Sequence, residues 1–261
     1  VTDINNAEDV FLFQRSTGVM TLVSRSATSA NRTANGQSTA TAISADGNWV
    51  LFTSNATNLV PGIIEGNGFA DVFLYQRSTG TITLVSRSAT SASTTADAQS
   101  GSVAISADGE WVLFSSQATN LVSGIADQNS QTDVFLFHRS SGNVTLVSRA
   151  AGSAATASGE SLGFGISADG NRVLFSSEAT NLIAGLSDSF ETTDVFLYDR
   201  STGTVSLISR AFDSPSTTAN SPSLPFSMSA DGEWILFASR ATNLVNGISD
   251  GNSTWDAFLF R

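Results

Sequence analysis

The chain has 261 residues, 41% of them hydrophobic and 13% charged, which is enough apolar material for a packed core and far from a disordered composition. Its net charge is −11, all twelve basic residues are Arg, and there is no Cys. Nucleic acid is therefore a poor partner, because affinity for phosphate backbones comes from basic side chains. Disulfide and thiolate chemistry are excluded, and no apolar run reaches the roughly 18 residues of a membrane-inserted helix.

The first feature in chain order is a polar loop, Asp3-x-Asn5-x-x-x-Asp9, which opens onto the apolar and aromatic run Val10 to Phe13. This run is strand-like. Arg15-Ser-Thr-Gly18 follows as a tight turn, with Gly where a positive φ is needed. A β-branched segment ending Leu22-Val23-Ser24-Arg25 pairs back as a hairpin. After a Ser/Thr/Ala-rich loop come a short strand ending at Ile43-Ser44, an Ala45-Asp46-Gly47 turn and the strand Trp49 to Phe52. Ala56-Thr-Asn-Leu59 closes the unit.

The pattern then repeats. Asp9, Asp71, Asp133, Asp194 and Asp256 open copies of one motif at intervals of 62, 62, 61 and 62 residues. Self-similarity at such a period marks a repeat architecture. The units run over 9–70, 71–132, 133–193 and 194–255, with a partial unit at 256–261, in a single domain spanning 1–261. Both alternating faces of the strands are apolar, as in Val72, Phe73, Leu74 and Tyr75. Sheets stacked between neighbours bury both faces. The predicted fold is all-β: a β-propeller of about four four-stranded antiparallel blades, closed or extended through chain-end strand exchange. A β-solenoid is the competing architecture, although its coils are usually shorter. The strand count is seventeen, one more than four blades need, and the surplus is 10–13 or 257–260.

The blocks Ser106-Ala-Asp-Gly-x-Trp-Val-Leu-Phe-Ser-Ser116 and Asp194-Val-Phe-Leu-Tyr-Asp-Arg-Ser-Thr-Gly203 resemble the bacterial TolB-type (WD-like) propeller repeat along the whole chain. The resemblance implies four-stranded blades with the strand before Ser-Ala-Asp-Gly innermost and Thr-Leu-Val-Ser-Arg outermost. It implies no activity, since function resides in sites rather than in folds.

The candidate site is the loop ahead of each Asp-Val-Phe strand. Its residues are Asp3, Asn5 and Asp9; Glu65, Asn67 and Asp71; Asp127, Asn129 and Asp133; and Asp250, Asn252 and Asp256. Carboxylate and amide oxygens at this spacing suit a hard cation such as Ca²⁺. The same residue types also initiate turns by bonding their own backbone, so both readings stand, and no cofactor is required. The third full repeat departs from the pattern, with Phe190 between Asp188 and Asp194.

The Asp of each Ala-Asp-Gly (Asp46, Asp108, Asp169, Asp231) recurs and reads as turn structure. The Arg residues after the aromatic strand and after Leu-Val-Ser also recur, and are expected to pair with Asp side chains or carbonyls. Trp49, Trp111 and Trp234 share one blade position and read as packing, whereas Trp255 is the exposed candidate. His138 is the one histidine and reads as a surface residue, and there is no Gly-x-Ser-x-Gly elbow. A carboxylate-pair glycosidase would have to use acids outside the repeat pattern, such as Glu160, Glu178, Glu191 and Asp213.

The expected function is a non-catalytic structural or binding module in an extracellular, cell-surface or periplasmic setting. Its partners would be proteins, carbohydrate or further copies joined through edge strands. The alternatives are the propeller domain of a larger enzyme, such as a hydrolase or peptidase gating domain, and a calcium-dependent ligand- or carbohydrate-binding module.

Overall fold

The structure is a computed structural model that describes residues 1–188 and 192–261. Phe190 and Glu191 lie outside the described residues. The chain divides into two compact units, residues 1–123 with 137–144, and residues 124–136 with 145–261.

In the first unit, β1 (Phe11–Gln14) and β2 (Val19–Leu22) form an isolated antiparallel hairpin. A complete sheet follows: β3 (Ser38–Ile43), β4 (Trp49–Ser54), β5 (Asp71–Gln76) and β6 (Thr81–Leu84), paired in chain order. Next come β7 (Ser100–Ile105), β8 (Trp111–Ser116), β9 (Asp133–His138) and β10 (Asn143–Leu146), again paired in order. Residues of β9 and β10 are divided between the units. In the second unit, β11 (Ser161–Ile166), β12 (Arg172–Ser177), β13 (Asp194–Asp199) and β14 (Thr204–Leu207) make another complete sheet. The last sheet has three strands: β15 (Ser223–Met228), β16 (Ile235–Ser239) and β17 (Asp256–Phe260). The described residues thus hold the seventeen strands expected, and one hairpin and one three-stranded sheet flank the complete blades.

The two-faced apolar pattern has the expected consequence. Val72, Phe73, Leu74 and Tyr75 in β5 are all buried. Full burial of such side chains contributes about 1.5–3 kcal/mol each. The two faces are covered because successive sheets stack: β7 packs on β3, β4 and β5, and β15 packs on β11, β12 and β13. Phe52 on Phe73 and Phe175 on Phe196 repeat one ring contact, at 5.7 and 5.6 Å.

The first strand of each three- or four-stranded sheet carries a register shift, for example between Ala40 and Ala42 in β3 and between Pro225 and Ser227 in β15. A bulge on an edge strand is where a proline is tolerated. The following turn closes through its aspartate. Asp46 Oδ1 accepts from Ser44 Oγ at 2.6 Å and from Asn48 N at 2.9 Å, and Gly47 takes φ +66°. Asp108 and Asp169 repeat both bonds with Ser106 and Ser167. These bonds hold the Asp46 and Asp169 carboxyls below their ordinary value. The Ala-Asp-Gly aspartates are thereby accounted for as architecture.

Candidate functional site

The loops ahead of β5 and β9 are built alike. Glu65 Oε1 accepts from the backbone N–H of Asn67 and of Gly68, both at 2.9 Å. The Asn67 carboxamide donates to the carbonyls of Ala96 (2.6 Å) and Ala98 (3.3 Å), and its oxygen accepts from Phe69 N at 2.6 Å. Thr95 Oγ reaches Glu65 Oε1 at 3.4 Å. One repeat later, Asp127 accepts from Asn129 N (3.1 Å) and Ser130 N (2.9 Å), and Asn129 donates to Ala157 O (2.9 Å) and Gly159 O (3.2 Å). The N-terminal copy repeats this with Asp3, Asn5, Ala34 and Gly36. In these three copies the acid-x-Asn pair therefore closes a local turn and ties the loop to a segment about thirty residues later.

The final Asp of each motif has another role. Asp71 and Asp133 are buried, and each accepts a hydrogen bond from the serine that follows the outer strand. Ser86 Oγ donates to Asp71 at 2.7 Å and Ser148 Oγ to Asp133 at 2.8 Å. Each serine oxygen in turn accepts the N–H of the residue after the aspartate, Val72 at 2.9 Å and Val134 at 3.0 Å. Burial pushes Asp71 up to about 7 against the pull of the Ser86 hydroxyl, and the facing Glu65 carboxyl adds to the rise. Asp133 is likewise raised to about 7 by burial, with Ser148 and Asn129 opposing and Asp127 adding. Asp194 behaves the same way with Ser209 and Asp188, and its Oδ2 is buried with no partner among the described residues.

The structure thus brings Glu65 to Asp71, and Asp127 and Asn129 to Asp133. At the chain ends the sets are less complete. Asp9 accepts from Ser24 Oγ at 2.9 Å, and Asp250 closes its turn onto Asn252 N and Ser253 N. Asp256 is exposed, and among the described residues it accepts no serine hydrogen bond of the kind that Asp71 and Asp133 accept. Among the described residues no three Asp, Glu or His side chains converge. A cation here would rest on two carboxylates and neutral oxygens. The partners that the motif did not reveal are Ser24, Ser86, Ser148 and Ser209, and Thr33, Thr95, Thr156 and Thr218. The serines did carry a signal, since they recur in Val-Ser or Ile-Ser at the same period as the aspartates.

The recurring arginines bind carbonyls, as expected, and also cover aromatic rings. Arg87 Nη2 donates to Gly142 O at 2.5 Å, with its guanidinium 5.4 Å from the Phe137 ring. Arg139 Nε donates to Gly109 O at 2.9 Å and lies 4.1 Å over Trp49. A cation stacked on an indole at this distance is an attractive contact. Trp49 and Arg139 therefore clamp one blade to the next. Trp255 is exposed, with Arg240 6.0 Å from its ring.

His138 is the last residue of β9, stacked on Trp111 at 4.1 Å. Its Nδ1 is 2.9 Å from Ser141 Oγ, and its Nε2 is 3.2 Å from Glu110 Oε1. This grouping has the composition of a catalytic triad, but its hydroxyl contact recurs in the array. Thr79 and Gln76 make the equivalent of the Ser141 contact in a sister turn, and Ser201 on Asp199 repeats the contact of Ser140 with His138.

No family model and no curated protein matches this chain. Solved structures do match. A prolyl endopeptidase is 11% identical with a TM-score of 0.50, over 97% of this chain and 33% of that one. An oligogalacturonate lyase from Vibrio parahaemolyticus is 10% identical with a TM-score of 0.43, over 96% and 61%. The tricorn protease is 12% identical with a TM-score of 0.44, over 96% and 24%. This chain spans about a third of the prolyl endopeptidase and less than two thirds of the other two. The repeated four-stranded antiparallel sheets and the likeness to the endopeptidase define a fold of β-propeller type.

Proposed function

We propose that this chain is a non-catalytic propeller module that holds and presents binding surfaces to protein or carbohydrate partners. One observation carries the reading: the polar groups at the candidate loops serve the same structural bonds in repeat after repeat. Asn5, Asn67 and Asn129 each give their carboxamide to two backbone carbonyls. A catalytic centre needs groups left over for substrate, and it is normally unique along a repeat array. The contact between His138 and Ser141 recurs as Gln76 and Thr79 in a sister turn, so the hydroxyl is engaged as turn structure there too.

The second reading is the propeller part of a larger enzyme, and it draws on the fold likeness to part of a prolyl endopeptidase. Proline-containing peptides and oligogalacturonates are the substrates to offer. The expected result is no turnover above that of the Glu110→Gln, His138→Ala double variant. Turnover by the parent chain that this variant loses would overturn the scaffold reading.

A further inference from the structure

Two of the arginines that follow outer strands bridge to the next blade, and a third does not. Arg25 Nη2 donates to Gly80 O and Arg87 Nη2 to Gly142 O, so each guanidinium fills the space between its own loop and the neighbouring hairpin turn. Both arginines are half-buried there, 5.9 and 5.4 Å from the rings of Tyr75 and Phe137. Arg149 takes a different course. Its Nε donates to Ser153 O within its own loop, and the residue is exposed. Gly203, the counterpart of Gly80 and Gly142, is exposed as well, and no atom beyond its chain neighbours lies within 4 Å of where a Cβ would stand.

The cause is in the sequence. Thr33 and Thr95 follow the arginines they bridge by eight residues, whereas Thr156 follows Arg149 by seven. The shorter loop turns through Gly152 at φ +68°, which brings the Ser153 carbonyl to the arginine. Ser26 and Thr28, which bond each other at 3.0 Å in the first loop, are Ala150 and Gly152 here, and Pro61 is Ala184. The pocket at this junction has a volume of about 470 Å³, against about 330 Å³ beside Arg25. Each of the two pockets lies within one compact unit, and the sheets that hold β10, β13 and β14 are complete.

Arg149 is the one charged side chain among the described residues lining the pocket, on a chain whose net charge is −11. With Nε on Ser153 O, its Nη groups keep donors suited to a carboxylate. Gly203 O, which receives no arginine, is an open acceptor. Leu182, Ile183 and Val205 supply an apolar wall. A carboxylate, an N–H donor and an apolar body occur together in the last residue of a polypeptide. We propose that this pocket captures the C-terminal residue of a partner chain, with its carboxylate on Arg149, its amide N–H on Gly203 O and its side chain on the apolar wall. Terminal carboxylates are a recurring recognition target, and the volume lies within the range of about 300–1,000 Å³ typical of ligand sites. Beside Arg25 and Arg87 the chain's own guanidinium occupies the equivalent space. The inference rests on the reading of the chain as a binding module and gives that module a partner chemistry.

The probe is a fluorescein-labelled hexapeptide ending in Ala-Ala-Leu, offered to the full chain as the free acid and as the C-terminal amide. Fluorescence anisotropy is expected to show saturable binding of the acid and binding of the amide weaker by about tenfold or more. Arg149→Gln is expected to weaken binding of the acid to a similar degree, while Arg25→Gln leaves it unchanged. Because Arg149→Gln also removes the bond to Ser153 O, Ala184→Phe is the second variant. It fills the pocket from an exposed position and is expected to abolish binding with the melting temperature unchanged. Equal binding of acid and amide, binding that survives both variants, or no binding at millimolar peptide overturns the proposal. Galacturonate trisaccharide that displaces the label at lower concentration than the unlabelled acid overturns it in favour of an acidic-sugar site. These outcomes leave the module reading standing, and that reading falls instead if mass spectrometry finds the peptide cleaved.

Discussion

Melting temperature is expected to rise as the pH falls from about 8 to about 5, the reverse of the usual acid sensitivity of carboxylates. Asp71, Asp133 and Asp194 titrate near 3.8 when unfolded and at about 7 in the folded chain. At pH 8 they are ionised in both states, and the folded state bears the full cost of buried charge. As the pH drops through 7 the folded state binds protons that the unfolded state does not, and stability is gained until the unfolded carboxyls also protonate near 3.8. Below about 4 a different set takes over. Asp46, Asp108, Asp169, Asp231, Asp199 and Glu110 are held below their ordinary values, so their contribution is present above those values and lost as the pH falls further. One pKa unit corresponds to about 1.4 kcal/mol, so three buried sites move stability by several kcal/mol, on the order of 10 °C in a chain of this size.

Calorimetry across this range is the measurement. The triple variant Asp71→Asn, Asp133→Asn, Asp194→Asn is expected to melt higher than the parent at pH 8 and to flatten the slope. A parent Tm that is level or falls between pH 8 and 5 would refute the assignment. Calcium enters the same experiment with the opposite sign. A cation held by the Glu65–Asp71 and Asp127–Asp133 pairs would keep them ionised, raise Tm at pH 8 and abolish the gain on acidification.

The period, the order of strands and the odd seventeenth strand were legible because they rest on local patterns: apolar runs, Gly turns and recurrence. The loop ahead of each third strand was legible as a motif, and the structure does bring its acidic ends together at Asp71 and Asp133. Less legible was what the polar atoms do. Asn67 binds the carbonyls of Ala96 and Ala98, about thirty residues away, and a carbonyl leaves no mark on the sequence. The burial of Asp71 was equally hidden, because Asp at the head of a strand reads as an exposed turn residue. The recurring arginines were read as binding Asp side chains or carbonyls; Arg87 and Arg139 bind carbonyls, and Arg139 also pairs with Glu110. An acidic partner occurs at Arg172–Asp199, where Arg replaces the repeated Trp and Asp replaces Gln76 or His138.

Equivalent asparagines are expected to differ sharply in what they contribute. Asn129→Ala removes the donor to Ala157 O and Gly159 O and the acceptor for Gln131 N. It also removes a group that steadies the Asp133 carboxylate. Partly buried backbone groups left without partners cost about 1–3 kcal/mol each when water cannot replace the bond fully, so a loss of about 2–4 kcal/mol is expected. Asn252→Ala removes one exposed bond, from Thr254 N, and no carbonyl beyond it. Its expected cost is under about 0.5 kcal/mol, as for an ordinary surface substitution. Denaturant unfolding of the two variants measures the difference. Equal losses would mean that the tie between loop and downstream segment is not what stabilises a blade. A large loss at Asn252 alone would mean that the last loop is anchored by contacts of a kind absent from its sisters. The comparison is internal, since both residues occupy the same place in the same motif and differ, among the described residues, in whether their carboxamide donates to backbone carbonyls.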